Sequence, residues 1–236
     1  MKNLRPTIPT GSDGLNELLD GGLLAETMHL IYGEAETGKT TLAMQCAVNC
    51  ARIGYKTIYI DSEGTFSTKR LSQIASSDVQ EIASNIILAR PSTFGEQTVI
   101  LDKLDEYVTE KVGLIIVDTI TSLYRAELGS ETKKTFKLNR ELNRQMACLA
   151  QIAKARKVAA LFTSQVRSVF MTDETSIEPV ARRVLDFWAN TVINLKLTSQ
   201  SGVIRAVLEK HPRRLRPQGC LLRISNEGIK DYKYPG

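Results

Sequence analysis

Apolar residues fall into two rhythms along this chain. Short, dense apolar runs occur at 27–32, 56–61, 86–89, 113–118 and 158–163, each the length of a strand. Gly113-Leu114-Ile115-Ile116-Val117-Asp118 is apolar throughout, as a strand buried on both faces of a parallel sheet must be. Between these runs the spacing turns helical: Leu15, Leu18 and Leu19, then 41–48, Leu71 with Ile74, 94–108, and a stripe of Leu138, Leu142, Met146, Leu149 and Ala153. Past residue 190 the pattern alternates, at 191–197, 202–209 and 220–224, which predicts antiparallel strands joined by turns. The segment 167–183 is polar and reads as irregular. The prediction is an α/β fold, a mostly parallel central sheet flanked by helices and extended by antiparallel C-terminal strands. With no internal repeat, low-complexity tract or linker, residues 1–236 read as a single domain, 1–26 forming an N-terminal segment. Only 32 residues precede the first glycine-rich loop, leaving no room for an N-terminal domain.

Composition narrows the class. Hydrophobic residues at 42% and charged residues at 24% exclude disorder, and no apolar run is long enough to span a bilayer. Met1 to Pro6 lacks the apolar core of a signal peptide, so a cytoplasmic location without membrane attachment is expected. The four cysteines, Cys46, Cys50, Cys148 and Cys220, have no metal-binding spacing and are expected to be reduced core residues. A net charge of +5 favours an anionic partner.

The chemistry concentrates in Gly33-Glu34-Ala35-Glu36-Thr37-Gly38-Lys39-Thr40, followed by Thr41, which fits G-x-x-x-x-G-K-[ST] between a strand and a helix. In that context backbone N–H groups and the helix N-terminus cradle phosphates, Lys39 neutralises them, and the Thr40 hydroxyl ligates Mg²⁺. The strand ending in Asp118 fits a Walker B pattern and would hold a Mg²⁺-bound water. Asp61-Ser62-Glu63-Gly64 brings carboxylates to the same sheet edge, and Ser164-Gln165 an uncharged donor.

Two basic features stand apart. Lys133, Lys137, Arg140 and Arg144 share one face if their helix begins early enough, and spacing alone does not choose between a DNA-facing surface and a solvated one. Lys210-His211-Pro212-Arg213-Arg214-Leu215-Arg216-Pro217 reads as an exposed loop suited to phosphate contacts.

These motifs, in this order, resemble the RecA/RadA recombinase superfamily, and within it the archaeal RadB group, RadA paralogues without the N-terminal helical domain. The resemblance rests on Thr10-Gly11-Ser12, Leu18-Leu19-Asp20-Gly21-Gly22, the P-loop, Tyr59 to Phe66, Leu114 to Asp118, Ser164-Gln165-Val166, and Pro217-Gln218-Gly219 through Glu227-Gly228-Ile229. It implies a RecA-like ATPase core that uses ATP and Mg²⁺. By position, Glu63 matches the carboxylate that orients the attacking water, Arg70 the arginine stacked on adenine, and Gln165 the γ-phosphate sensor. Residues 125–135, with Arg125, match the first DNA-binding loop, and 167–181, with Arg167, the second. The second loop is short and lacks the glycine-rich stretch of strand-exchanging members, and no polymerisation motif precedes the core. The expected function is therefore an ATP- and DNA-binding accessory of homologous recombination and repair, with very weak hydrolysis and no strand exchange. The resemblance implies RadA and a Holliday-junction nuclease as partners and leaves room for a homodimer. The rivals are a filament-forming recombinase with DNA-stimulated ATPase and a KaiC-like signalling ATPase.

Overall fold

The computed structural model describes residues 7–128, 132–171, 174–214 and 216–233. The helices are α1 (Asp13–Leu18), α2 (Lys39–Arg52), α3 (Thr68–Ala75), α4 (Val79–Ser84), α5 (Phe94–Asp102), α6 (Leu104–Tyr107), α7 (Ser122–Glu127), α8 (Thr132–Arg156) and α9 (Arg182–Trp188). The strands are β1 (Met28–Gly33), β2 (Lys56–Asp61), β3 (Ile86–Ala89), β4 (Val112–Asp118), β5 (Ala159–Ser164), β6 (Val166–Met171), β7 (Glu174–Pro179), β8 (Thr191–Leu197), β9 (Val203–Lys210), β10 (Gln218–Ser225) and β11 (Gly228–Asp231). Several helices start where a hydroxyl is available: Ser12, Ser67 and Thr93 each accept a backbone N–H from the first turn of α1, α3 and α5.

Nine strands form one sheet in the order β11-β10-β9-β8-β1-β5-β4-β2-β3. From β8 to β3 every neighbouring pair is parallel, and β9, β10 and β11 continue the sheet antiparallel, as the pattern predicted. Side-chain alternation divides the interior into two apolar layers. Along β1, Ile31 faces the layer of α2 and α3, while Met28, Leu30 and Tyr32 face that of α5, α8 and α9. All seven positions of β4 are buried, the reason its sequence is apolar without interruption.

Residues 167–183 depart from the expected irregular stretch. β6 and β7 pair antiparallel as a separate two-stranded sheet, with Val166 opposite Pro179 and Met171 opposite Glu174, and α9 begins at Arg182. A ladder outside the main sheet is held by backbone hydrogen bonds and requires no apolar run, so its sequence carries little of the usual strand signal.

One buried side chain ties the two ends of the described chain to α2. Gln45 donates through Nε2 to the carbonyls of Thr10 (2.7 Å) and Ile229 (2.9 Å), and accepts the Ile229 N–H on Oε1 (2.6 Å). Among the described residues, no helix is long and apolar enough to cross a membrane.

Candidate functional site

The Gly33–Thr40 loop leaves the C-terminal end of β1 at the middle of the sheet, between β5 and β8. A Cβ at Gly33 would stand 2.2 Å from the Leu195 carbonyl oxygen and 2.9 Å from Thr37 Oγ1, so only glycine lets the chain pass this close to β8. Gly38 takes the left-handed conformation at φ 84° and caps α2 without a side-chain acceptor, leaving first-turn N–H groups directed at the loop. Thr37 Oγ1 donates to the Glu34 carbonyl (2.8 Å). Lys39 Nζ folds back on the loop, donating to the carbonyls of Gly33 (2.9 Å) and Glu34 (2.6 Å). Burial lowers the Lys39 pKa, against the opposing pull of Glu63, Asp118 and Glu34. The loop and lysine therefore form a cradle in which a partly desolvated cation is satisfied by its own backbone, the chemistry a polyphosphate would take over.

Asp118 lies beside the cradle, 1% exposed at the tip of β4. Tyr59 OH donates to its Oδ2 (2.7 Å) and Thr163 Oγ1 to its Oδ1. Burial raises the Asp118 pKa, while hydrogen bonds from Thr163, Tyr59 and Thr40 work against that rise. Its bond with the Thr40 hydroxyl puts the two oxygens expected at Mg²⁺ together, so the donor set fits a hard, oxygen-ligated cation.

Glu63 stands on the loop after β2. Its Oε2 accepts from Thr119 Oγ1 (2.7 Å) and its Oε1 from Gln165 Nε2; Gln165 Oε1 in turn accepts from Arg125. Glu63, Gln165 and Arg125 line the same cavity of about 590 Å³ as Lys39 and Thr40. Arg125, expected at DNA, thus lines the cavity that Lys39 and Thr40 line. Asp61 belongs to the scaffold: it accepts the N–H groups of Thr65 (3.0 Å) and Phe66 (3.1 Å) and pairs with Arg90 (3.2 Å), pinning the loop that carries Glu63. Arg70 is held on the β10–β11 turn, donating to the carbonyls of Ser225 (2.8 Å) and Asn226 (2.9 Å). That turn follows Ile224, which lines the cavity, whereas Arg70 itself is not among the lining residues.

The sequence alone assigns no role at the site to Thr119, Tyr59, Thr163 or Arg90. Thr119 carried the only local signal, its place directly after Asp118.

The cationic candidates separate by what holds them. Lys133, Lys137 and Arg140 are exposed on α8, which begins at Thr132, early enough to align them. Arg144 is pinned between Asp102 (2.7 Å) and Glu141 (2.8 Å), which neutralise it. Arg167 falls on β6, and its side chain lies outside the described residues. Lys210 Nζ donates to the Asp186 carbonyl (2.8 Å). Arg214 donates to the Glu17 carbonyl (2.6 Å), Asp20 (2.9 Å) and Gln218 (2.7 Å). Arg213 approaches Asp20 only at 4.0 Å with its side chain 68% exposed, and Arg216 is exposed. The basic loop is thus part anchor and part free surface.

Comparison with known proteins places this arrangement among relatives. The family model described as Rad51 matches residues 4–232. The DNA repair and recombination protein RadB of Methanococcus maripaludis (strain C7) is 35% identical over 216 residues, 92% of this chain and 97% of that protein. RadB of Methanococcoides burtonii is 35% identical over 232 residues, 98% and 100% of the two chains. RadB of Thermococcus onnurineus is 35% identical over 229 residues, 95% and 97%. A crystal structure of the RadB recombinase superposes with a TM-score of 0.83 at 32% identity, covering 96% of this chain and 100% of the other.

Proposed function

The chain belongs to the Rad51 family, in its RadB group of DNA repair and recombination proteins, and from that premise we propose that it is an ATP- and DNA-binding accessory of recombination that hydrolyses ATP slowly. The observation that carries this reading is the meeting of Lys39, Glu63 and Gln165 at one cavity, with Asp118 beside it. Lys39 exchanges the Gly33 and Glu34 carbonyls for phosphate oxygens, and an incoming polyanion favours its charged form, which burial disfavours. Thr40 and, through a water, Asp118 are the residues to hold Mg²⁺, which when bound neutralises charge on the transferring phosphoryl.

The geometry around Glu63 holds its carboxylate in place, one oxygen accepting from Thr119 and the other from Gln165. Each oxygen keeps a second lone pair, so the carboxylate can accept a hydrogen bond from the attacking water while these two donors hold it. DNA contacts fall to the exposed cations Lys133, Lys137, Arg140, Arg213 and Arg216. We assign RadA and a Holliday-junction nuclease as partners on the strength of the family.

The test is direct binding of ATP and DNA beside steady-state hydrolysis with and without single-stranded DNA. Lys39→Ala is expected to abolish ATP binding. Glu63→Gln is expected to keep ATP affinity within about twofold and lose the residual hydrolysis, the mark of an interaction made in the transition state. Equal hydrolysis in Glu63→Gln removes that role from Glu63. Strong DNA-stimulated turnover in the unmodified protein would make it a recombinase instead.

A further inference from the structure

A chain of buried polar side chains lies outside the cavity, between the apolar faces of α5 and α8. Ser62 Oγ donates to Gln97 Oε1 (2.7 Å), and Gln97 Nε2 donates to Gln145 Oε1 (2.8 Å) and to the Ile120 carbonyl (3.2 Å). Gln145 Nε2 donates to Thr98 Oγ1 (2.7 Å), which donates to Glu141 at the surface (3.0 Å). Gln97 is 0% exposed and Gln145 1%. Their neighbours in this layer, Leu101, Leu142 and Met146, are apolar, and an aliphatic side chain would pack here with no polar group to satisfy. Packing does not explain two buried amides.

Their connections do. Ser62 directly precedes Glu63, and Ile120 directly follows Thr119, whose hydroxyl donates to Glu63 Oε2. The same two loops are laced again by Ser62 N–H to the Asp118 carbonyl (2.8 Å) and by Ser122 Oγ to the Ser62 carbonyl (2.9 Å). Gln97 therefore spans the two segments between which the Glu63 carboxylate is suspended. We propose that Gln97 is a positioning residue for Glu63: its amide, bridging the Ser62 hydroxyl and the Ile120 carbonyl, sets where that carboxylate stands in the cavity. It touches no part of the cavity itself, and Gln145 fixes which way the amide faces by accepting its other N–H.

The proposal rests on Glu63 as the water-orienting carboxylate, and the test keeps the two claims separable. Gln97→Met keeps the length of the side chain and deletes its hydrogen bonds. Single-turnover hydrolysis, ATP affinity and amide hydrogen exchange over 62–66 and 119–122 are read together, with Glu63→Gln and Thr98→Val, at the far end of the chain, in parallel. Gln97→Met is expected to slow hydrolysis by about ten- to a hundredfold, the scale of a misplaced catalytic group, with ATP affinity within about twofold. Exchange over both loops is expected to accelerate about tenfold or more, while Thr98→Val, which strands only the far N–H of Gln145, changes rate and exchange by less than Gln97→Met does. If Gln97→Met does not fold, Ser62→Ala removes only the hydroxyl end of the bridge and should accelerate exchange over 62–66. Unchanged exchange in both loops, or unchanged hydrolysis where Glu63→Gln is inactive, overturns the proposal. An unmodified protein without turnover, or an active Glu63→Gln, instead overturns the role of Glu63, and exchange alone then decides the positioning.

Discussion

His29, buried at the start of β1, is held in its neutral form chiefly by its burial. Its Nε2 lies 3.1 Å from the Leu24 carbonyl and 2.7 Å from Thr27 Oγ1, while Nδ1 has no partner. Burial pushes its pKa down from 6.5 to about 4, with His211 adding to that direction and the Leu24 hydrogen bond opposing it. An unfolded chain takes up this proton near pH 6.5 and the folded one only near 4, so between those values the unfolded state binds more protons. Stability from this group is complete above 6.5, declines as pH falls, and is exhausted below about 4, amounting to about 3 kcal/mol in all. Urea unfolding between pH 7.5 and 4 should lose that part of its slope in His29→Leu; parallel curves would contradict it.

At the scale of elements, the loop between β9 and β10 divides into cations that hold the fold and cations that face solvent. Arg214→Ala removes the charged partner of Asp20 and one donor to the Glu17 carbonyl, and should destabilise by about 1–2 kcal/mol with little effect on DNA affinity. Replacing Arg213 and Arg216 by Gln should change stability by less than about 0.5 kcal/mol, weaken DNA binding, and lower the salt slope by about one for each phosphate no longer neutralised. A double variant that binds DNA as tightly, with the same salt dependence, removes this loop from the interface.

That division was not visible in the sequence, and the reason is general. The P-loop, Asp118 and Glu63 could be read because their chemistry needs neighbours close in the chain, and the parallel strands because burial on both faces forces an apolar run. The Arg125–Gln165 and Thr119–Glu63 contacts join positions 40 and 56 residues apart, and Asp20, which pairs with Arg214 of the basic loop, is 194 residues from it. Gln97 and Gln145 look like ordinary solvated helix positions until α5 and α8 close over them. The β6–β7 hairpin escaped for the converse reason: its pairing lies outside the main sheet, and its apolar stretch, Val169-Phe170-Met171, is shorter than the runs that mark the buried strands.

Over the whole molecule, the nine-stranded sheet sets the cavity at its centre and leaves α2 dependent on the two ends of the described chain. Gln45→Leu strands the Thr10 carbonyl and both polar groups of Ile229, which should destabilise by about 3 kcal/mol in chemical denaturation. A loss below about 1 kcal/mol would mean that water replaces the amide. Much of the charge is spent on the fold itself: Arg90, Arg144, Arg156, Arg182 and Arg214 all pair with carboxylates, which cancels charge of both signs and leaves the surplus of +5 to the cations that remain unpaired.

The clasp at Gln45 has a consequence in time. During synthesis α2 leaves the ribosome well before residue 229, so a chain that has emerged only as far as β10 carries the whole Gly33–Thr40 loop but lacks the backbone groups that complete the contacts of its helix. The packing of α2 against β11 is then a late step, taken only after most of the sheet is already available.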